Sequence, residues 1–319
     1  MEQFPKLENN NEIFNSKIYL ESGFKDMNQR NALLEKISIN PDSIIHDVKD
    51  IIKNTAEKSK VIFFGINHAS CISHNKIAEY LSSLPNNVNL FVEYPPAIQE
   101  NINQFMKTGK FSNLDDPSLY DKIYDYVEKG GLELDLPDNL KGTFFDSRPS
   151  VIQIFSILKK AKELGLNVLA GDQYGDSSLE DDDDMLKRDS GMFQNLKESV
   201  ENFDTTIVVA GGNHVLNGEY ELSIGNYPYI TEEKVTSVAR LSKEYFGDSE
   251  VKTFWLENQL HNKKYADNNQ VVSSALFDKI KTLKSGEEEI GLKIEEGCIE
   301  GAKDITQGIK VDYYIPVFE

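Results

Sequence analysis

The sequence predicts an α/β fold, with a mixed, mostly parallel central sheet flanked by helices. Short apolar runs rich in β-branched and aromatic residues, typical of strands buried on both faces, alternate with longer segments whose apolar residues recur at helical spacing. The order strand, helix, strand indicates parallel neighbours joined by right-handed crossovers. The 319 residues are 39% hydrophobic and 27% charged, which is ordinary for a globular protein with a substantial core.

The first part of this pattern contains two helices and two strands. Asn40 is suited to cap the first helix, and Pro41 fits its first position. Gly65 is expected to close the first strand. The predicted segments are, in order, a helix from about Asp42 to Glu57, a strand over Val61–Phe64, a helix from about Cys71 to Leu84, and a strand over Val88–Val92.

A polar stretch then interrupts the alternation. Residues 97–138 have a mostly helical pattern and are predicted to form a helical insertion over the carboxyl edge of the sheet. Residues 1–40 are predicted to form an N-terminal arm and helix, and 41–319 a single domain. The remaining predicted segments are a helix at about Pro149–Leu164, a strand at Asn167–Ala170, a helix ending near Phe203, a strand at Thr205–Ala210, a helix near Glu232–Phe246, and strands near Val251–Leu256 and Val311–Val317 with a helix between them.

The charge of the chain argues against two classes of partner. Its 53 acidic and 34 basic residues give a net charge of −19, and such a surface repels nucleic-acid phosphates and anionic lipid head groups. No apolar run approaches the ~18 residues that a membrane helix needs. Because the first residues do not resemble a signal peptide and the two cysteines cannot form a disulfide framework, a cytoplasmic protein is expected. Secretion without an N-terminal signal would leave no trace in this pattern.

Four predicted strands end in polar side chains that can do chemistry. His68, Glu93, Asp172 and His214 each follow one of these strands. The carboxyl ends of parallel strands face one crevice, where ligands bind in α/β proteins. The sequence therefore predicts a pocket in which two histidines and two carboxylates converge.

Other residues are candidates for the same pocket. Arg148 and Arg188 can orient a carboxylate or hold an anionic intermediate. The candidates for substrate binding are His74, Tyr94, Asp146, Arg148, Asp172, Tyr174 and Asn213.

Each candidate also has a purely structural interpretation. A histidine can be satisfied by backbone hydrogen bonds, and Glu93 can be paired with an arginine as part of the architecture. His74 is either a residue that orients His68 or a surface histidine. Cys71 lies near a predicted helix start, but a buried helix cysteine is commoner than a nucleophile. The acidic run at 180–184 is more typical of a solvated helix start than of a calcium site.

The motifs resemble those of a known superfamily. Gly65-x-x-His68, followed by His74 and then by Glu93 at the next strand end, is similar to the pattern of the superfamily that joins erythromycin esterases, Tiki/TraB metalloproteases and ChaN haem-binding proteins. Arg188 and Met192 on a helix that leads to a strand ending in Gly211-Gly212-Asn213-His214 extend the resemblance. It covers roughly residues 58 to 260.

This resemblance implies a fold and a set of site residues. The fold is a mixed α/β sheet with helices on both faces, and the pocket at its strand ends is lined by His68, Glu93 and His214, with Arg188 nearby. The chain departs from the family at Ile66, where a glutamate is common. The family spans esterases, peptidases and haem carriers, so several activities are compatible with it.

The leading hypothesis is a hydrolase that acts on an ester or amide bond of a small-molecule or peptide substrate. His68 would act as general base, or with Glu93 and His214 as ligand to a divalent metal. His214 would otherwise act as acid, and Arg188 would stabilise the developing oxyanion.

Two other functions are compatible with the sequence. One is a protein that binds haem or another small ligand without catalysis, which Ile66 favours. The other is a secreted effector or toxin-like module whose acidic face binds a basic partner.

Overall fold

The computed structural model describes residues 32, 35, 37–66, 71–85, 87–111, 123, 154–172, 182–224, 231–258, 268–284, 289–295, 298–300 and 310–318. The strands in this part of the chain are β1 (Ser38–Ile39), β2 (Ile44–Ile45), β3 (Val61–Ile66), β4 (Val88–Val92), β5 (Asn167–Ala170), β6 (Thr205–Gly211), β7 (Glu219–Ile224), β8 (Thr231–Thr236), β9 (Val251–Asn258), β10 (Gly291–Lys293), β11 (Ile299–Glu300) and β12 (Tyr313–Val317). The helices are α1 (Val48–Ala56), α2 (Cys71–Leu81), α3 (Gln99–Thr108), α4 (Phe155–Leu164), α5 (Asp182–Val200), α6 (Val238–Phe246) and α7 (Asn268–Leu283).

An eight-stranded mixed sheet organises the fold, in the order β2-β10-β12-β9-β3-β6-β4-β5. The six strands from β12 to β5 are parallel to their neighbours, whereas β10 pairs antiparallel with both β12 and β2. The predicted fold class is thus confirmed. Two short antiparallel pairs, β1 with β11 and β7 with β8, stand outside this sheet.

The core has two layers because helices cover both faces of the sheet. All six residues of β3 are buried, and successive side chains point to opposite faces. Phe64 packs in one layer with Tyr80 of α2, and Phe63 in the other layer with Met192 of α5. Gln99 pairs with the open side of the edge strand β5. Its side-chain amide donates to Val168 O and accepts from the Ala170 N–H.

The first predicted helix begins later than the sequence indicated. Asn40 does act as a cap, accepting a hydrogen bond from the backbone of Asp42 at 3.1 Å, but it caps only a 3-10 turn over Pro41–Ser43. The chain then enters β2, and α1 starts after Asp47, whose carboxylate accepts from the Asp50 N–H at 3.0 Å. The isoleucines of β2 satisfied a helical pattern, yet they pair with β10 at the edge of the sheet.

The predicted helix near Glu232–Phe246 is half wrong. Its first part is strand β8, which forms an unpredicted hairpin with β7, and only α6 is helical. Ser237 caps α6 by accepting from the Arg240 N–H at 3.0 Å. Segment β8 is a strand because it pairs with β7. Its six residues are mostly polar and have no apolar periodicity from which this pairing could be predicted.

Candidate functional site

Residues from four separate segments meet at the carboxyl edge of the sheet. Glu93 follows β4, Asp172 follows β5, and His214 lies in a 3-10 turn, Gly212–Val215, after β6. Arg188 comes from α5. The backbone fixes the two carboxylates, because the Glu93 N–H donates to Val209 O of β6 at 3.1 Å and the Asp172 N–H to Tyr94 O at 2.9 Å.

Arg188 joins the two strand-end carboxylates. Its Nε and Nη2 donate to the two oxygens of Asp172 at 3.0 and 2.6 Å, and Nη2 also donates to Glu93 Oε1 at 2.5 Å. The side chains of Glu93 and Asp172 are only 6% and 5% exposed, compared with 25% for Arg188. Burial would lower the pKa of the guanidinium, but the bonds to Asp172 and the charge of Glu93 outweigh burial and raise it.

His214 lies between two buried carboxylates. Its Nδ1 is 2.6 Å from Asp189 Oδ1, and its Nε2 is 3.1 Å from Glu93 Oε1. Burial opposes the charged imidazole, yet the charge of Glu93 and the hydrogen bonds to Asp189 and Glu93 raise its pKa to about 10. At neutral pH His214 is therefore a cation with a proton on each ring nitrogen.

Asp189 is the residue of this cluster that the sequence did not single out. It is fully buried, and its second oxygen accepts from the Val238 N–H at the start of α6 at 3.2 Å. The sequence offered little reason to place Asp189 in the site, since an aspartate next to an arginine on a helix usually faces solvent. We call Glu93, Asp172, Arg188, Asp189 and His214 the strand-end cluster.

The glycines near the cluster are needed for packing more than for turning. Gly65 lies inside β3 and does not close it, and a Cβ there would overlap the Val215 side chain. A Cβ at Gly171 would overlap the ring of Phe91. Neither glycine has positive φ, so the close contacts of its Cα, and not its backbone conformation, require a glycine at each position. Gly211 instead donates its N–H to Glu93 Oε2 through a short hydrogen bond.

Three further predicted site residues lie in the described part of the chain, and the backbone carbonyl of one of them, Tyr94, accepts the hydrogen bond from the Asp172 N–H. His74 is buried on α2, on the sheet face opposite the layer that contains α5. Tyr94 packs its side chain in the same layer as α2. Asn213 is exposed. His68, Asp146, Arg148 and Tyr174 lie outside the described residues, so their predicted roles stay predictions.

Two cavities lined by described residues lie away from the strand-end cluster. One of about 440 Å³ lies between α2 and α4, and one of about 450 Å³ lies at the opposite edge of the sheet, near Ser59 and Thr205. They do not test the predicted pocket, because residues 67–70 and 173–181, which follow β3 and β5 in the sequence, are outside the described part.

The described contacts engage the donor atoms of Glu93 and His214 within the protein, and the predicted metal set of His68, Glu93 and His214 stays a prediction because His68 lies outside the described residues. Both oxygens of Glu93 accept hydrogen bonds, and both nitrogens of His214 face carboxylates. A protonated imidazole has no lone pair for a metal. Among described residues, no three His, Cys, Asp or Glu side chains form a group that could hold a metal ion.

Cys71 shows no sign of activation. It is fully buried at the start of α2, and burial raises the pKa of its thiol to about 12. A nucleophilic thiol needs the opposite shift.

Comparisons with known proteins give only distant likeness. No protein-family model matches the sequence, and no curated protein matches it. The fold is similar to the C-terminal region of Pasteurella multocida toxin, described with a thiol-protease like catalytic triad (12% identity, 66% of this chain and 25% of that chain, TM-score 0.39). It is also similar to RRSP, a MARTX toxin effector domain from Vibrio vulnificus (10%, 67% and 36%, TM-score 0.37).

A third similar structure is the ChaN protein of Campylobacter jejuni, described with cofacial haem binding (12% identity, 72% of this chain and 92% of that chain, TM-score 0.37). The chain thus spans about a third or less of the two toxin chains and most of ChaN. At these scores the likeness carries no argument about what the chain binds or does.

In the described part of the chain, no helix is both long and apolar enough to cross a membrane.

Proposed function

We propose that the protein is a hydrolase of ester or amide bonds whose site is the strand-end cluster. The observation that supports this function is the position of His214, an imidazolium held by Asp189 on one side and facing Glu93 on the other, at the sheet edge where α/β proteins bind ligands. Perturbed ionisable groups are concentrated at functional sites.

The geometry favours a charge-stabilising role for His214 over an acid role. A general acid works best when its pKa is near the working pH, and His214 holds its proton far above neutral pH. Its longer contact, 3.1 Å from Nε2 to Glu93, is the one that a substrate oxygen would replace. With Arg188 nearby, two cations would then stabilise the negative oxygen that forms when water attacks a carbonyl.

His68 remains the proposed general base. What supports this role is its position in the sequence, two residues after β3, because β3 pairs with β6, the strand that precedes His214. In the proposed reaction His68 takes a proton from water, the oxygen of that water bonds to the carbonyl carbon, and the bond to the leaving group breaks. The ion pairs of the cluster hold Glu93 and Arg188 in place during these steps.

The test is turnover of a panel of ester, amide and phosphate substrates, with and without chelator, alongside elemental analysis. We expect ester or amide hydrolysis that survives chelator. His214→Gln should lower kcat by about 10²-fold, the scale of losing one oxyanion donor. His46→Gln is the matched control, because His46 is an exposed histidine beside β2, near the far end of the sheet.

Two results would overturn the proposal. One is a folded His214→Gln variant that turns over as fast as the parent. The other is a parent that hydrolyses no member of the panel but gives a Soret band with hemin, which would favour the binding protein.

A further inference from the structure

A buried carboxyl group lies near the strand-end cluster but outside it. Glu257 is 3% exposed at the end of β9, and its Oε2 accepts a hydrogen bond from Trp255 Nε1 at 2.8 Å. Among the described residues, nothing forms a hydrogen bond with its other oxygen, Oε1, which is also buried. A buried polar atom without a partner is destabilising, so a group that binds there and forms a hydrogen bond with Oε1 is favoured.

Trp255 connects this carboxyl group to the turn that carries His214. Trp255 and Glu257 are two residues apart on a strand, so their side chains project from the same face of the sheet. The end of the indole ring lies against Gly212, where a Cβ would stand 2.9 Å from its nearest carbon atom. Gly212 begins the 3-10 turn that contains His214.

The strand register places Glu257 at the carboxyl edge. Trp255 pairs with Gly65 of β3, and β3 ends one residue later, at Ile66. Glu257 is therefore level with the point at which the chain leaves β3 toward His68. The rule that identified Glu93 and Asp172 applies equally to Glu257, but the sequence pattern ended this strand at Leu256.

Burial sets the charge state of Glu257. Burial raises its pKa to about 7, although the bond from Trp255 acts in the opposite direction. Among the described residues, Tyr314 of β12 is a titratable group that interacts with it, and burial and the charge of Glu257 keep the pKa of that phenol well above its usual value. Near neutral pH Glu257 is therefore the one of the two that exchanges a proton.

We propose that Glu257 is a further catalytic residue, which donates a proton from Oε1 to the leaving group. As the C–O or C–N bond of the substrate breaks, the proton passes to the leaving oxygen or nitrogen, and Glu257 becomes a carboxylate that Trp255 stabilises. Solvent then returns a proton to it. The inference rests on the proposed hydrolase function, and it supplies the acid that His214 does not.

The single tryptophan of the chain allows a test that needs no substrate. Because Trp255 donates to Glu257, ionisation of the carboxyl group should change the tryptophan emission, with a midpoint at a pH of about 7. Glu257→Gln should abolish this transition while the amide oxygen keeps the bond from Trp255. Thermal unfolding gives a check of folding, since the parent should lose more stability than Glu257→Gln as pH rises from 4.5 through about 7.

Turnover gives the second readout. In Glu257→Gln we expect kcat to fall by about 10²-fold or more, and the decline of activity that the parent shows above a pH of about 7 should disappear. Trp255→Phe keeps the acid but removes the donor that stabilises its anion, so the same decline should move to higher pH.

The outcomes separate this inference from the proposed function. A parent without hydrolysis overturns both. A parent that hydrolyses, with Glu257→Gln equally fast, overturns the acid role alone. Absence of an emission transition near pH 7 in the parent also overturns it, because Glu257 would then not exchange its proton in the working range.

Discussion

Replacing Arg188 by methionine should destabilise the protein by about 3–5 kcal/mol at pH 7, the usual cost of removing one partner from a buried ion pair. Arg188→Met keeps the length and apolar stem of the side chain, but it leaves Glu93 and Asp172, each about 95% buried, facing each other without their shared cation. The lost contacts are three charged hydrogen bonds of 2.5 to 3.0 Å. Because the carboxylates cannot be rehydrated without opening the sheet edge, little of this cost can be recovered.

The assay is urea unfolding followed by circular dichroism, with Arg240→Met as matched control. Arg240 also bonds a glutamate, Glu244, at 2.7 Å, but both side chains are about half exposed, so its loss should cost only about 0.3–0.5 kcal/mol. Adding Asp172→Asn to Arg188→Met should recover part of the loss, which a double-mutant cycle measures. If Arg188→Met costs no more than Arg240→Met, the carboxylates are hydrated and the buried cluster is wrong.

Two further predictions concern packing and pH. Gly171→Ala should lower the free energy of unfolding by about 1–3 kcal/mol, because its Cβ overlaps the Phe91 ring; an unchanged melting temperature would contradict this. The pKa of His214 is raised, so its stabilisation is complete below about 6.5 and is lost as pH rises through about 10. Calorimetry at pH 6 and pH 10 should show a larger loss for the parent than for His214→Gln, and equal losses would refute the assignment.

The direction of the strands made most of the cluster predictable. Glu93, Asp172 and His214 follow separate apolar runs, and parallel pairing brings the ends of those runs to one edge whatever their distance in the chain. Arg188 was found from its charge and from the family resemblance. These inferences need only the order of the strands and their parallel direction, and both can be predicted from the pattern of apolar residues.

The residues that were missed depend on contacts that no local pattern records. Asp189 is recognisable only when α5 is packed against His214 and the start of α6. Glu257 was missed because the predicted strand ended one residue too early. The prediction for β2 was wrong for a similar reason. Two isoleucines are compatible with a helix or a strand, and only their pairing with β10 decides between the two. Non-local pairing settles these cases, and it is absent from a single sequence.

The central claim is that the strand-end cluster is the site of chemistry and not simply an ionic support. Its most direct test compares turnover per folded molecule in Glu93→Gln and Asp312→Asn. Asp312 also belongs to a partly buried ionic network, accepting from Lys243 Nζ at 2.9 and 3.0 Å and from the Thr253 N–H at 2.8 Å, but it lies at the amino end of β12. We predict that Glu93→Gln loses about 10²-fold or more in kcat, because the neutral amide no longer fixes Arg188 and no longer supports the charge of His214, the two cations that stabilise the oxyanion. Asp312→Asn should keep the parent rate. Equal rates in both variants would contradict the claim.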